Sequence, residues 1–241
     1  MKERPILFSA SMVRALLDGS KTQTRRIMKP QPTPTPADYP GPRGHRWPSD
    51  AVQSMVHIEE EMQKLTGMAG DCCPHGDRGD RLRVRETFLA FGRWETRFSP
   101  KKERDEWHFV DMTMECDRRY QYAADNPDVP LAKGRGGTLP GWHTRPAIFM
   151  PRAASRTLLE IVSVRVERLN DCSESDALAE GVLKVSENFY KGLPAWAGYD
   201  GAFPRPDAYT AYYDLWESIN GKGSWDTNPF VWILEFKRVT P

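Results

Sequence analysis

The chain has 241 residues, with 34 Lys+Arg against 33 Asp+Glu and a formal net charge of +1. That length fits one enlarged domain or two small ones, at roughly 100–200 residues per domain, and either can bury a core. Near-neutral charge excludes the strongly basic class of nucleic-acid-coating proteins, although local basic patches remain open.

No apolar run approaches the roughly 20 residues of a membrane-spanning helix, and residues 1–5 lead into no signal-type apolar region. Cys72, Cys73, Cys116 and Cys172 form no regular framework. These features predict a protein of a reducing compartment, the cytoplasm, away from membranes.

Ile6, Leu7 and Phe8 predict a first strand. Met12, Val13, Leu16 and Leu17 then recur at helical spacing. Ser9 or Ser11 can cap this helix, and Gly19 supplies its left-handed stop. A strand is expected over 24–28. Between helix and strand lies Gly19-Ser20-Lys21-Thr22-Gln23-Thr24-Arg25-Arg26, which gathers an amine, hydroxyls, an amide and two guanidiniums. Loops are where a rigid scaffold presents its chemistry.

Residues 29–48 are Pro-rich and aperiodic, which predicts a linker or surface excursion. Ser49-Asp50 then opens an expected amphipathic helix, with Val52, Met55, Val56, Met62 and Leu65 on one face and Gly67 at its end. A turn-rich segment, 71–80, holds Cys72, Cys73 and His75. Adjacent cysteines are not the usual zinc spacing and a fourth ligand is not evident, so buried thiols in a turn are expected and no metal or cofactor.

Residues 81–88 alternate with period two, a strand signature. Arg81, Arg83 and Arg85 share one face; Leu82, Val84 and Glu86 share the other. A carboxylate in a core-facing row needs a partner or a task. Over 89–150, Trp94, Trp107, Tyr120, Tyr122 and Trp142 are scattered among charges, Pro and Gly. That stretch is expected to be an elaboration beside the site, a lid or substrate wall, with one strand at 120–124.

A long strand is expected over 157–169. Ser173-Glu174-Ser175-Asp176 has capping-box form and opens a short helix that Gly181 closes. A loop with Trp196 and Tyr199 follows. Tyr209, Tyr212, Tyr213, Trp216 and Ile219 make the aromatic face of a further helix, read as core and stopped by Asn220-Gly221. Residues 230–239 alternate as a final strand. This order, without regular βα alternation, predicts an α+β fold: a small mixed β-barrel with peripheral helices.

Lys21, Thr24 and Glu86 form the first chemical constellation. A Thr hydroxyl needs a base to become a nucleophile. A Lys amine serves only if burial or neighbouring positive charge lowers its pKa, and Arg25 and Arg26 can supply that charge. Spacing alone favours the plainer arrangement: a capped helix end, a solvated Lys and a Glu–Arg salt bridge. Arg25, Arg26, Arg81, Arg83, Arg85, Arg152 and Arg156, with exposed aromatics, could instead track a nucleic-acid backbone. The charge balance favours a solvated strand face for them.

Residues 12–26 with their Gly-Ser-Lys-Thr-Gln-Thr-Arg-Arg motif resemble the ASCH-domain family. So do Gly79-Asp80-Arg81-Leu82-Arg83-Val84-Arg85-Glu86 and the strand after Met150-Pro151-Arg152. The ending Trp225-Asp226-Thr227-Asn228-Pro229-Phe230-Val231-Trp232 is similar to that of enlarged, phage-encoded members. The resemblance implies a PUA-like β-barrel as a single domain over 1–241, with insertions at about 30–78 and 89–150. Some compact bacterial members are amidohydrolases that remove the acyl group from N4-acetylcytidine and related N4-acylated cytosines. By that likeness the catalytic set falls on Lys21, Thr24 and Glu86, with substrate contacts from Arg25, Arg26 and Arg152 and no cofactor. The partner implied is a nucleoside or nucleobase. An RNA-binding module or a ribonuclease is the alternative that the family also suggests.

Overall fold

The computed structural model describes residues 1–38, 40, 44–49, 54–59, 72–135, 139–190, 192–199 and 203–239. It is a mixed α+β protein built mostly of strands, in two compact units. The first unit comprises 1–6, 15–83 and 157–241; the second comprises 7–14 and 84–156.

The main sheet of the first unit has five strands in the order β1 (Glu3–Leu7), β6 (Arg81–Arg85), β11 (Leu158–Arg168), β14 (Phe230–Val239), β2 (Gln23–Ile27). Its path is open, with β1 and β2 at the two ends. Among the described residues no closed barrel is found; the α+β class holds. Strand β14 lies inside the sheet: it pairs antiparallel with β11 and β2, and all but one of its first seven residues are buried.

Helix α1 (Ala10–Leu17) begins where Ser9 Oγ accepts from Met12 N at 3.2 Å, and Gly19 at φ +85° turns the chain out of it. Helix α2 (Glu174–Ala179) carries the capping box the sequence predicts: Ser173 Oγ accepts from Asp176 N, and Asp176 accepts from Ser173 N. Helix α3 (Ala208–Asn220) is capped by Asp207 and packs Tyr212 and Trp216 into a core with Leu169, Val182, Trp225 and Ile233. Ile219 ends up half-exposed, on the far edge of the expected stripe.

Two expectations in this unit are overturned and a third is narrowed. Of the two alternatives for residues 29–48, the linker is excluded and the excursion stands, because β3 (Thr33–Pro34) and β4 (Gly44–Ser49) pair there. Trp47 in β4 fixes the excursion to the core: it donates to the Pro30 carbonyl at 2.8 Å and meets Trp232 edge-to-face at 5.3 Å. The helix expected from 49 to 67 is replaced in its described part by β5 (Ser54–Glu59), paired residue by residue with β4. A short apolar run satisfies both periods, and a partner strand decides between them; residues 60–71 lie outside the described residues. The loop around Trp196 is a hairpin, β12 (Leu183–Tyr190) with β13 (Leu193–Ala197).

The second unit is built on a sheet in the order β10 (Gly141–Arg145), β7 (Phe88–Ser99), β8 (Arg104–Asp111), with β9 (Gln121–Tyr122) also on β7. Only β9 was expected; the elaboration over 89–150 is an ordered antiparallel sheet. Its small core gathers Phe88, Ala90, Met150 and Ala154, with Phe109, Tyr120 and Tyr122 against them.

Among the described residues no helix is long and apolar enough to cross a membrane.

Candidate functional site

The loop between α1 and β2 is held on both sides. Lys21 N donates to the Ala15 carbonyl at 2.9 Å and Thr22 N to the Ala179 carbonyl at 2.8 Å. Lys21 also bridges antiparallel to Glu180, the residue after α2. These bonds carry the lysine side chain inward, and it is fully buried. Its solvated placement, the plainer expectation, is therefore corrected.

Lys21 Nζ donates to Glu180 Oε2 at 2.7 Å and to the Glu180 carbonyl at 2.9 Å, and lies 5.6 Å from the centre of the Tyr199 ring. Burial pushes the amine below its ordinary pKa; the Glu180 carboxylate opposes that fall, while Arg26 and Arg25 add to it. The other Glu180 oxygen takes Arg25 NH1 at 3.3 Å. Arg25 NH2 lies 3.3 Å from Asp176, and Asp176 accepts from Arg165 at 2.8 Å and from Gln23 Nε2 at 3.2 Å. Arg165 continues to Glu167 at 2.9 Å and to Glu235.

The result is an alternating chain of charges, Lys21–Glu180–Arg25–Asp176–Arg165, running from the buried loop to the rim. Burial works against the Arg25 charge, but Glu180 and its neighbours hold the guanidinium above its usual pKa. Gly181 lets the loop close on Tyr199. Its φ is +99°, and a Cβ there would lie 3.0 Å from the Tyr199 ring and 3.3 Å from Lys21 Cβ. Thr24 is buried in β2 opposite Leu234. The Nζ donors of Lys21 go to Glu180 rather than to Thr24. A groove of about 420 Å³ opens on the same loop, lined by Leu17, Gly19, Lys21, Thr22, Phe236 and Arg238 among others.

Asp176 gives this network a pH signature. Burial alone would raise its pKa; hydrogen bonds from Ser173 and the charge of Arg25 outweigh that and hold it at about 2 instead of 3.8. A depressed carboxylate pKa contributes stability above 3.8, and that contribution is lost as pH falls through about 2. Asp176→Asn should therefore melt at a lower temperature at neutral pH and lose less stability than wild type between those pH values. Thermal unfolding followed by circular dichroism across the acid range checks this.

Glu86 belongs to the second unit. It is buried, as the alternation of 81–88 predicts, and Met150 Sδ accepts from its backbone N–H at 3.4 Å. Its carboxylate takes a two-point bond from Arg156, 3.0 Å from Nε and 3.2 Å from NH2. Arg156 makes a second pair with Asp125 at 2.6 and 2.9 Å and lies 3.8 Å over the Tyr122 ring. Burial raises the Glu86 pKa, and Arg156 opposes the rise.

Of the expected substrate contacts, Arg25 is inside the charge chain, Arg26 is mostly buried, and Arg152 is exposed on a 3-10 turn of the second unit. Glu180 and Asp125 were missed as partners. Glu180 follows a capped helix in a segment that reads as ordinary helix end. Nothing in its spacing links it to Lys21, 159 residues earlier. Cys72 and Cys73 are buried, and desolvation pushes the Cys73 thiol up to about 12, which makes it a poor nucleophile.

No family model, no curated protein and no solved structure matches this chain.

Proposed function

We propose that this chain is a PUA-like, ASCH-type amidohydrolase that removes the acyl group from an N4-acylated cytosine or cytidine. The observation that carries the reading is Lys21: an amine wholly buried, lowered in pKa and aimed by a dedicated carboxylate. A buried lysine with a depressed pKa is better suited to general-base work than a solvated one.

In this scheme Thr24 Oγ attacks the acyl carbonyl while Lys21, in its neutral form, takes the hydroxyl proton. Arg25 or Arg26 steadies the oxyanion. Collapse breaks the C–N4 bond, and the proton held by Lys21 goes to the departing amine. Water then hydrolyses the Thr24 ester and regenerates the hydroxyl. The family resemblance would give Glu86 the base amino group and Arg152 a part in substrate binding; Glu180 sets the charge state of Lys21. Every proton is carried by a side chain or water, so the scheme calls on no metal or cofactor.

The covalent step has its own test. Rapid quenching with N4-acetylcytidine, followed by peptide mass spectrometry, should find one acetyl group on Thr24 in wild type and none in Thr24→Ala, which should lose turnover by at least about 10²-fold. Full activity in Thr24→Ala would replace the nucleophile with a water activated by Glu86, with Lys21 polarising the carbonyl.

A further inference from the structure

The sheet of the second unit presents a face that the scheme above does not use. The register pairs Trp94 with Phe109, Thr96 with Trp107, Ala90 with His143 and Phe88 with Arg145. Alternation therefore places Trp94, Thr96, Phe98, Trp107, Phe109, His143 and Arg145 on one side, together with the carboxylates of Asp105 and Asp111 and, at the buried end, Phe88 and Ala90. Trp94 and Phe109 meet edge-to-face at 5.3 Å, and Phe109 and His143 at 5.4 Å. The Arg145 guanidinium sits 4.8 Å from the Trp94 ring, 4.6 Å from Phe109 and 4.9 Å from Phe149. Arg135 covers Trp94 at 4.7 Å.

Farther out the rings are bare: Phe98 is 64%, Trp107 44% and Phe149 55% exposed. Beside Trp107 lies a groove of about 480 Å³, lined also by Arg104, Asp105, Glu106, His108 and Arg135. Glu106 is neutralised there by Lys102 at 2.8 Å and Arg104 at 3.3 Å. Among the described residues neither Arg135 nor Arg145 has a carboxylate within ion-pair distance, although the charge of Asp111 reaches Arg145; their close contacts are rings. The whole unit carries 14 Lys+Arg against 10 Asp+Glu, although the full chain is nearly neutral.

Exposed aromatic rings call for a flat apolar partner, and guanidiniums beside them without a close ion pair call for an anion. A polymer that alternates π faces with phosphates meets both demands. We propose that this face binds single-stranded nucleic acid, with bases stacked on Trp107 and Phe98 and phosphates held by Arg135 and Arg145. A duplex fits poorly, because its base faces are already stacked on one another.

The test measures fluorescence anisotropy of labelled oligonucleotides of roughly 12 nucleotides, a length within the usual site size of such surfaces. Single-stranded RNA, single-stranded DNA and a duplex are titrated with the full chain at low and high salt. Wild type should bind at least one kind of single strand more tightly than duplex, and affinity should fall as salt rises. Trp107→Ala and Arg135→Glu, which change exposed side chains and should keep the wild-type circular dichroism, should each weaken binding by about tenfold. Absence of binding at low salt, equal binding of duplex, or unchanged affinity in both variants would overturn the proposal. No deacylation is involved in the readout, so its failure and the failure of the amidohydrolase reading are separate results.

Discussion

Glu180→Ala should cost about 3–5 kcal/mol of folding stability, the largest loss expected from any single truncation in the charge chain. The carboxylate is the only one that touches Lys21 Nζ among the described residues, and it also holds Arg25 at 3.3 Å. Both cations have fully buried side chains. Its removal leaves an ammonium without its counter-charge and a guanidinium with Asp176 alone, in surroundings that cannot hydrate them. Lys21→Met is the informative contrast. It removes one charge, leaves Glu180 paired with Arg25, and fills part of the space with an apolar chain. Its expected cost is smaller, about 1–3 kcal/mol. Urea unfolding of both variants at neutral pH measures the difference. A Glu180→Ala loss below about 1 kcal/mol would mean that water reaches the site and that the pair behaves as a surface salt bridge.

The second large effect concerns catalysis and its pH dependence. Lys21→Ala should reduce deacylation by about 10²–10⁴-fold, the usual worth of a positioned general base. Glu180→Gln asks a finer question. A lysine base works in its neutral form, so activity rises as pH climbs through the lysine pKa. Burial lowers that pKa and the Glu180 carboxylate raises it. An amide of the same shape deletes the raising influence while keeping an acceptor for Nζ. The activity limb of folded Glu180→Gln should therefore move to lower pH, although the variant is less stable. A purely structural role for Glu180 would change the amount of folded protein and leave the limb where it was. Rate-against-pH profiles normalised to the folded fraction separate the two.

Much of this was legible in the chain, where a residue's neighbours in sequence are also its neighbours in space. The helix from Ala10 to Leu17 with its Ser9 cap, the capping box at Ser173 and the inward row Leu82, Val84, Glu86 are local patterns, and each occurs as expected. What failed was set by distant partners. Residues 54–59 read as helix because Met55 and Val56 satisfy that period, yet β4 claims them as an edge of a three-stranded sheet. β7 and β8 escaped notice because much of their length has no single buried face: Arg93, Thr96, Arg97 and Phe98 all reach solvent, so polar and apolar residues do not alternate cleanly. The site divides in the same way. Lys21 could be singled out from its loop, but not Glu180; Glu86 could be expected to need a cation, but Arg156, 70 residues on, carried no mark of being the one.

The most direct measurement is the ultraviolet absorbance change of N4-acetylcytidine incubated with wild type, Lys21→Ala and Glu86→Ala, each shown to be folded by circular dichroism. The account predicts steady conversion to cytidine by wild type and at least about 10²-fold slower conversion by Lys21→Ala, with Glu86→Ala also impaired. No conversion by folded wild type, or equal conversion by wild type and Lys21→Ala, would contradict it.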